Sequence, residues 1–186
     1  MDRFIIHLIN SGYLPHDASL LLKKADLLTS GLDAVVRDTR VSKKYLEFDV
    51  SIPKEQLDLL VVKLESIGKL DEARYLAEEN IEKEEAIENG KFYFNNERFW
   101  ECHEVLEGVW KKTYEGEKDL VQGMILVAAA FVHYQKNENE ICLSIMNRAI
   151  EKLQNSTGVY YDINVDEFKR KITEIIKTKK ITTFAI

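Results

Sequence analysis

FWECHEVLEGVW, residues 99–110, reads as a helix from its spacing alone, and it sets the reading of the rest of this 186-residue chain. At 100° per residue, Phe99, Cys102, Leu106 and Val109 fall on one apolar stripe. Trp100, His103, Glu107 and Trp110 fall on a second stripe, and Glu104 lies beside it. Two aromatic rings therefore bracket a histidine and a carboxylate held one helical turn apart. That is close enough for the pair to hydrogen-bond or to share a ligand.

Working outward, the flanking segments are also helical. Residues 81–94 carry a charged outer face, with Gly90 as a costly interior residue. Asn95 and Asn96 supply a turn into the central helix. Gly116 separates that helix from residues 119–136, which are apolar almost all round and are expected at the centre of the fold. On that helix Gln122 and His133 face the same way, roughly 16 Å apart along the axis. Residues 141–154 form the next helix, the YYDIN stretch is a loop or short extended piece, and Asn164 with Glu167 marks a capped start for the last helix. The closing TTFAI is either a strand or a docking segment.

The first 77 residues follow a different period. An apolar run at residues 4–9 reads as a buried strand closed by Gly12. Asp17 is placed to cap a helix through Leu28, with Leu20, Leu21, Leu27 and Leu28 on one side. Residues 34–40 and 45–52 alternate and are rich in β-branched and aromatic side chains, with Ser42, Lys43 and Lys44 as a hairpin tip. Pro53 opens a helix to about Ile67, with Leu57, Leu60, Val61 and Leu64 inward. Residues 69–75 suit a final strand, although DEAR at its centre is equally helical. The expected architecture is α+β: a ferredoxin-like α/β sandwich over residues 1–77, then an all-α domain over residues 78–186.

Composition narrows the function classes. Hydrophobic residues make up 45% of the chain, enough for a sizeable core. The longest apolar run, residues 124–132, is too short to span a bilayer, and the N-terminus lacks a signal-peptide pattern. Cys102 and Cys142 have no paired spacing and are expected as reduced, buried thiols of a cytoplasmic protein. The net charge of −6 gives no general nucleic-acid footprint. Residues 78–119 carry 13 acidic and 6 basic side chains, while the last helix is basic. This asymmetry suggests that the last helix lies near the acidic ones, within the chain or across a dimer.

The segments FNNERFWECHEVLEGVW and QGMILVAAAFVHYQK together resemble the domain-of-unknown-function 309 family of small helical proteins. The matching positions are Phe94, Asn95, Trp100, His103, Glu104, Glu107, Trp110, Gln122, Gly123 and His133, within about residues 84–155. Where the family has Gly-Asn after the second helix, Asn137 and Glu138 stand here. The resemblance implies an all-α fold and supplies no settled activity.

Three readings of the central helix follow. In the first, His103, Glu104, Glu107, Gln122 and His133 form a buried hydrogen-bond network between helices, with Trp100 and Trp110 as core anchors. In the second, the same residues line a pocket for a small molecule or peptide in a non-catalytic binding or scaffold protein. In the third, His103 and Glu107 hold a divalent metal with His133 as third ligand and Glu104 as base, in a metal-dependent hydrolase. No other cofactor is indicated. Arg37, Arg40, Lys43 and Lys44 read as a solvated hairpin edge, and His7 and His16 as incidental. A homodimer through the sheet edge or the central helices is compatible with the pattern.

Overall fold

The computed structural model describes residues 1–77 and 81–186, and the expected junction near residue 78 lies outside them. The chain divides into two compact units, one built on the N-terminal residues (together with Gln135–Asn137) and one on the C-terminal residues.

In the first unit the alternating segments become strands β1 (Asp2–Ile9), β2 (Val35–Val41), β3 (Tyr45–Ile52) and β4 (Leu70–Tyr75). Helix α1 (Ala18–Thr29) follows β1, and α2 (Leu57–Leu64) follows β3. The sheet order is β2-β3-β1-β4, and every neighbouring pair is antiparallel. The ambiguous residues 70–75 are a strand because β1 offers them a ladder, with Phe4 opposite Tyr75 and His7 opposite Glu72. Tertiary pairing overrides a weak local preference here. One face of the sheet is apolar: Phe4, Ile6, Leu8, Leu46, Phe48, Val50 and Ile52 are all buried in one cluster with residues of α1 and α2.

Two local expectations for this unit change. Leu20 and Leu27 are exposed, at 65% and 76%, while Ala18, Leu21 and Ala25 are buried. Leu20 lies 100° round the helix from Leu21, so the four leucines cannot share one inward face. Asp17 does not cap α1. Its carboxylate instead accepts the Leu14 N–H at 2.8 Å, closing a 3-10 turn over Pro15–Asp17.

The second unit contains α3 (Lys83–Asn95), α4 (Phe99–Lys111), α5 (Glu117–Tyr134), α6 (Asn139–Leu153) and α7 (Val165–Thr178). Among the described residues its one departure from all-α is a short hairpin, β5 (Val159–Tyr160) with β6 (Ile163–Asn164). Tyr161 and Asp162 both have positive φ, 43° and 63°, as a two-residue hairpin turn of the mirror-image type requires. The Asn164 side chain accepts the Glu167 N–H at 2.9 Å and caps α7 as the sequence suggests. Asn137 adopts φ 64°, the left-handed turn that an asparagine tolerates.

Five aromatic rings organise this core. Phe94 has its ring centroid 5.1 Å from that of Phe99, 5.9 Å from Phe131, 6.1 Å from Phe168 and 5.6 Å from Phe184. Glycines let the helices approach. A Cβ on Gly90 would lie 2.9 Å from Leu106 Cδ2, and one on Gly123 would lie 2.5 Å from Leu153 Cγ. Replacing Gly123 by Ala gains helix propensity of about 0.5–1 kcal/mol but forces α6 outward at an overpacking cost of about 1–3 kcal/mol. The expected net result is a loss of about 1 kcal/mol in urea unfolding. The same substitution in a Leu153→Ala background should stabilise; a stabilised Gly123→Ala single variant would contradict the close approach.

Candidate functional site

The apolar stripe of α4 is buried as expected, with Phe99, Cys102, Leu106 and Val109 each at 1% exposure or less. That fixes the rotation of the helix, so the second stripe must lie toward its outer side. Its first turn is anchored by Arg98, whose guanidinium donates from Nε and Nη2 to the two oxygens of Glu101 at 2.5 and 2.6 Å. Both residues are buried, and the Arg98 guanidinium also sits 5.1 Å from the centre of the Tyr93 ring.

On the outer side, His103 Nδ1 is 3.2 Å from Glu104 Oε1 and Nε2 is 3.6 Å from Glu107 Oε1. One imidazole therefore has a carboxylate at each ring nitrogen. The His103 side chain is 25% exposed, whereas Glu104 and Glu107 are 50% and 48% exposed. Trp100 and Trp110 are part-buried on either side. Lys118 places its ammonium 4.2 Å from the centre of the Trp110 ring, a cation–π geometry. The Trp110 Nε1 is buried and makes no hydrogen bond among the described residues.

The expected partners from α5 do not join this group. His133 Nδ1 hydrogen-bonds Glu138 Oε2 at 2.5 Å. Gln122 is half-buried and makes no hydrogen bond to His103, Glu104 or Glu107 among the described residues. The physical reason is the exposure of α4's polar stripe: two half-solvated carboxylates retain water as a partner and draw nothing across from α5. The group is thus an exposed acid–imidazole–acid cluster and not a buried interhelical network. Cys102 lies at the opposite side of α4, where burial pushes its thiol well above the ordinary range and leaves it a poor nucleophile. Burial likewise pushes the Cys142 thiol up to about 12.

A second polar cluster ties the hairpin to the helices. Lys83 Nζ lies 2.6 Å from Glu117 Oε1, and Tyr160 donates to the same oxygen at 2.7 Å. Burial works to raise the Glu117 carboxyl, but the hydrogen bonds from Lys83 and Tyr160 prevail and hold it below the usual range. The basic residues of α7 are engaged locally: Arg170 pairs with Glu167 and Glu174, and Lys169 reaches the carbonyls of Gln154 and Ser156. The last helix does lie against an acidic one, with Phe168 of α7 6.1 Å from Phe94 of α3, but among the described residues no ion pair joins them.

His7 is the residue that sequence reasoning undervalued. In the first unit it is buried with Nε2 3.0 Å from Glu47 Oε2, and Arg40 donates to the other oxygen of the same carboxylate. Arg40 is therefore buried and paired, not part of a solvated hairpin edge. The signal was present in strand parity. Glu47, Asp49 and Ser51 alternate with apolar residues on β3, and antiparallel register sets His7 directly opposite Glu47.

The match to a known family falls on the helices α3 to α6. Residues 87–145 match the family model described as "Domain of unknown function (DUF309)", a span running from α3 into α6. A protein of Aquifex aeolicus (strain VF5), described as "Uncharacterized protein", is 24% identical over 98 residues. That stretch is 52% of this chain and 29% of the relative, so this chain spans well under half of the curated protein it matches.

Proposed function

We propose that the protein is a non-catalytic binding or scaffold protein whose helical unit presents Trp100, His103, Glu104, Glu107 and Trp110 to a small molecule or peptide bearing a positive charge. The observation that carries this reading is the pair of half-exposed carboxylates flanking one imidazole. Two acids on adjacent turns attract a cation, and indole rings beside them supply the faces that cations favour. Lys118 over Trp110 uses the same chemistry within the chain. The β2-β3-β1-β4 order of the first unit supports reading it as a ferredoxin-like scaffold, a fold-level likeness that carries no activity. No helix among the described residues is long and apolar enough to cross a membrane, and buried, unpaired thiols suit a reducing, cytoplasmic setting.

The test is a tryptophan-fluorescence titration with tetramethylammonium chloride and with a short arginine-containing peptide amide. A saturable response is expected that weakens about fivefold or more in a Glu104→Gln/Glu107→Gln variant, in keeping with exposed charge pairs. An unchanged response in that variant, or none in the parent, sinks the reading.

The 3.6 Å separation of His103 Nε2 and Glu107 Oε1 favours a second reading, a divalent metal held by those two groups with Glu104 as base in a hydrolase. It ranks below the first because a protein zinc site takes three or four ligands, and His133, its third, is engaged by Glu138. Elemental analysis of protein purified without chelator separates the two. Stoichiometric metal that disappears in a folded His103→Ala variant would favour the hydrolase.

A further inference from the structure

After α7 the chain turns through Lys179 at φ 56° and runs without helix or strand through residues 180–186. It is nevertheless held by contacts of the kind that peptide-binding grooves use. The Asn95 side-chain amide donates to the Ile186 carbonyl at 2.9 Å, and its oxygen accepts the Ile186 N–H at 2.7 Å. One side chain thus reads both backbone groups of one residue, as a neighbouring strand would. Lys171 Nζ donates to the Ala185 carbonyl at 3.2 Å, and Thr183 donates to Glu97 at 2.5 Å. Phe184 seats its ring 5.6 Å from both Phe94 and Phe131 and 5.9 Å from Phe168. A backbone clamp with one aromatic anchor is a recognition site for an extended peptide, and the chain itself supplies the occupant.

The seat is not closed around its occupant. A cavity of about 400 Å³ remains between α7 and the segment, lined by Lys171, Ile175, Thr178, Thr183 and Phe184. That groove is open to solvent, so one side of the segment is not covered by the helical unit. The turn into the segment is made by Lys179, a non-glycine residue in the left-handed region at the end of α7.

We infer that this groove, between Asn95 at the end of α3, Phe131 of α5 and α7, is an exchangeable peptide site whose partner is a second copy of this chain. Two molecules swap residues 182–186 reciprocally and dimerise. Every copy carries an occupant whose fit is already displayed, and a terminal segment joined by a short connection is the kind of element that identical chains exchange. This site is separate from the His103 cluster and does not depend on the function proposed for it.

The experiment mixes two full-length variants and follows mass by native mass spectrometry and sedimentation. Asn95→Ala carries a damaged groove and an intact segment; Phe184→Ala carries the reverse. Each alone should be largely monomeric, whereas the mixture should form a one-to-one heterodimer through its one intact groove and segment. A fluorescent peptide of residues 180–186 provides the second measurement. It should bind the Phe184→Ala chain and bind at least tenfold more weakly to an Asn95→Ala/Phe184→Ala chain of unchanged circular dichroism. Peptide binding without a heterodimer would overturn the second copy as partner, and absence of peptide binding would overturn the groove itself.

Discussion

Replacing Phe94 by Ala is expected to destabilise the helical unit by about 4 kcal/mol, near the upper range for a buried aromatic residue. The ring is 2% exposed and meets aromatic side chains from α4, α5, α7 and the segment that follows α7. Its removal forfeits transfer free energy and leaves a cavity whose walls are four other large rings. Those walls belong to three helices and the segment after α7, and cannot collapse together without shifting backbones. Edge-to-face geometry adds about 0.5–1.5 kcal/mol for an aromatic pair, which Leu at position 94 would forgo while keeping much of the volume. Phe94→Leu should therefore lose less than half as much. The measurement is urea unfolding followed by tryptophan fluorescence. Both tryptophans, Trp100 and Trp110, lie in the second unit, so the signal is not mixed with unfolding of the first. A loss under about 1.5 kcal/mol would mean that Phe94 is peripheral.

Much of this architecture was legible because periodicity reports burial directly. Three-four spacing on α4 puts its apolar stripe inward as the pattern has it, and alternation on β3 sorts side chains into an apolar and a polar face, although both faces of β3 are buried. The pattern failed where several apolar residues are adjacent. LLLKKADLL on α1 contains enough leucines to draw more than one stripe, and only packing against the sheet selects Leu21 over Leu20. The strand at residues 70–75 was ambiguous for a related reason. Its stability comes from pairing with β1, sixty-odd positions away in sequence, and a local window carries no record of that partner.

The candidate site was legible in membership and not in depth. Spacing brings His103 to Glu107 because a helix turn does so irrespective of context. Whether that turn faces solvent or another helix depends on what covers it, and α5 turns its apolar residues toward the core while His133 finds Glu138 five residues on. Glu101 was passed over for the opposite reason. It sits among more conspicuous residues, and its pairing with Arg98 shows only once Arg98, the residue just before the helix, is known to lie inside the protein.

That pair carries the other large expectation. Glu101→Ala should destabilise the protein by about 3–5 kcal/mol, because it removes the two Glu101 oxygens to which the buried Arg98 guanidinium donates while leaving the charge in place. Glu101→Gln keeps one acceptor oxygen and the side-chain volume, and should lose roughly half as much. The decisive comparison is Arg98→Met/Glu101→Leu. Taking two ions out of water offsets most of what their contact gains, so an apolar pair of similar volume should recover at least half of the loss seen in Glu101→Ala. Fluorescence-detected urea midpoints rank the three variants. If the double variant is as unstable as Glu101→Ala, the ion pair contributes net stability beyond its own desolvation. If Glu101→Ala loses under about 1 kcal/mol, Arg98 is satisfied by water or by its other partners, and the pair does not hold the start of α4. The expected order, with the double variant most stable, places the pair's contribution in fixing the register at which α4 begins, and hence which of its faces turns His103 and the two carboxylates outward.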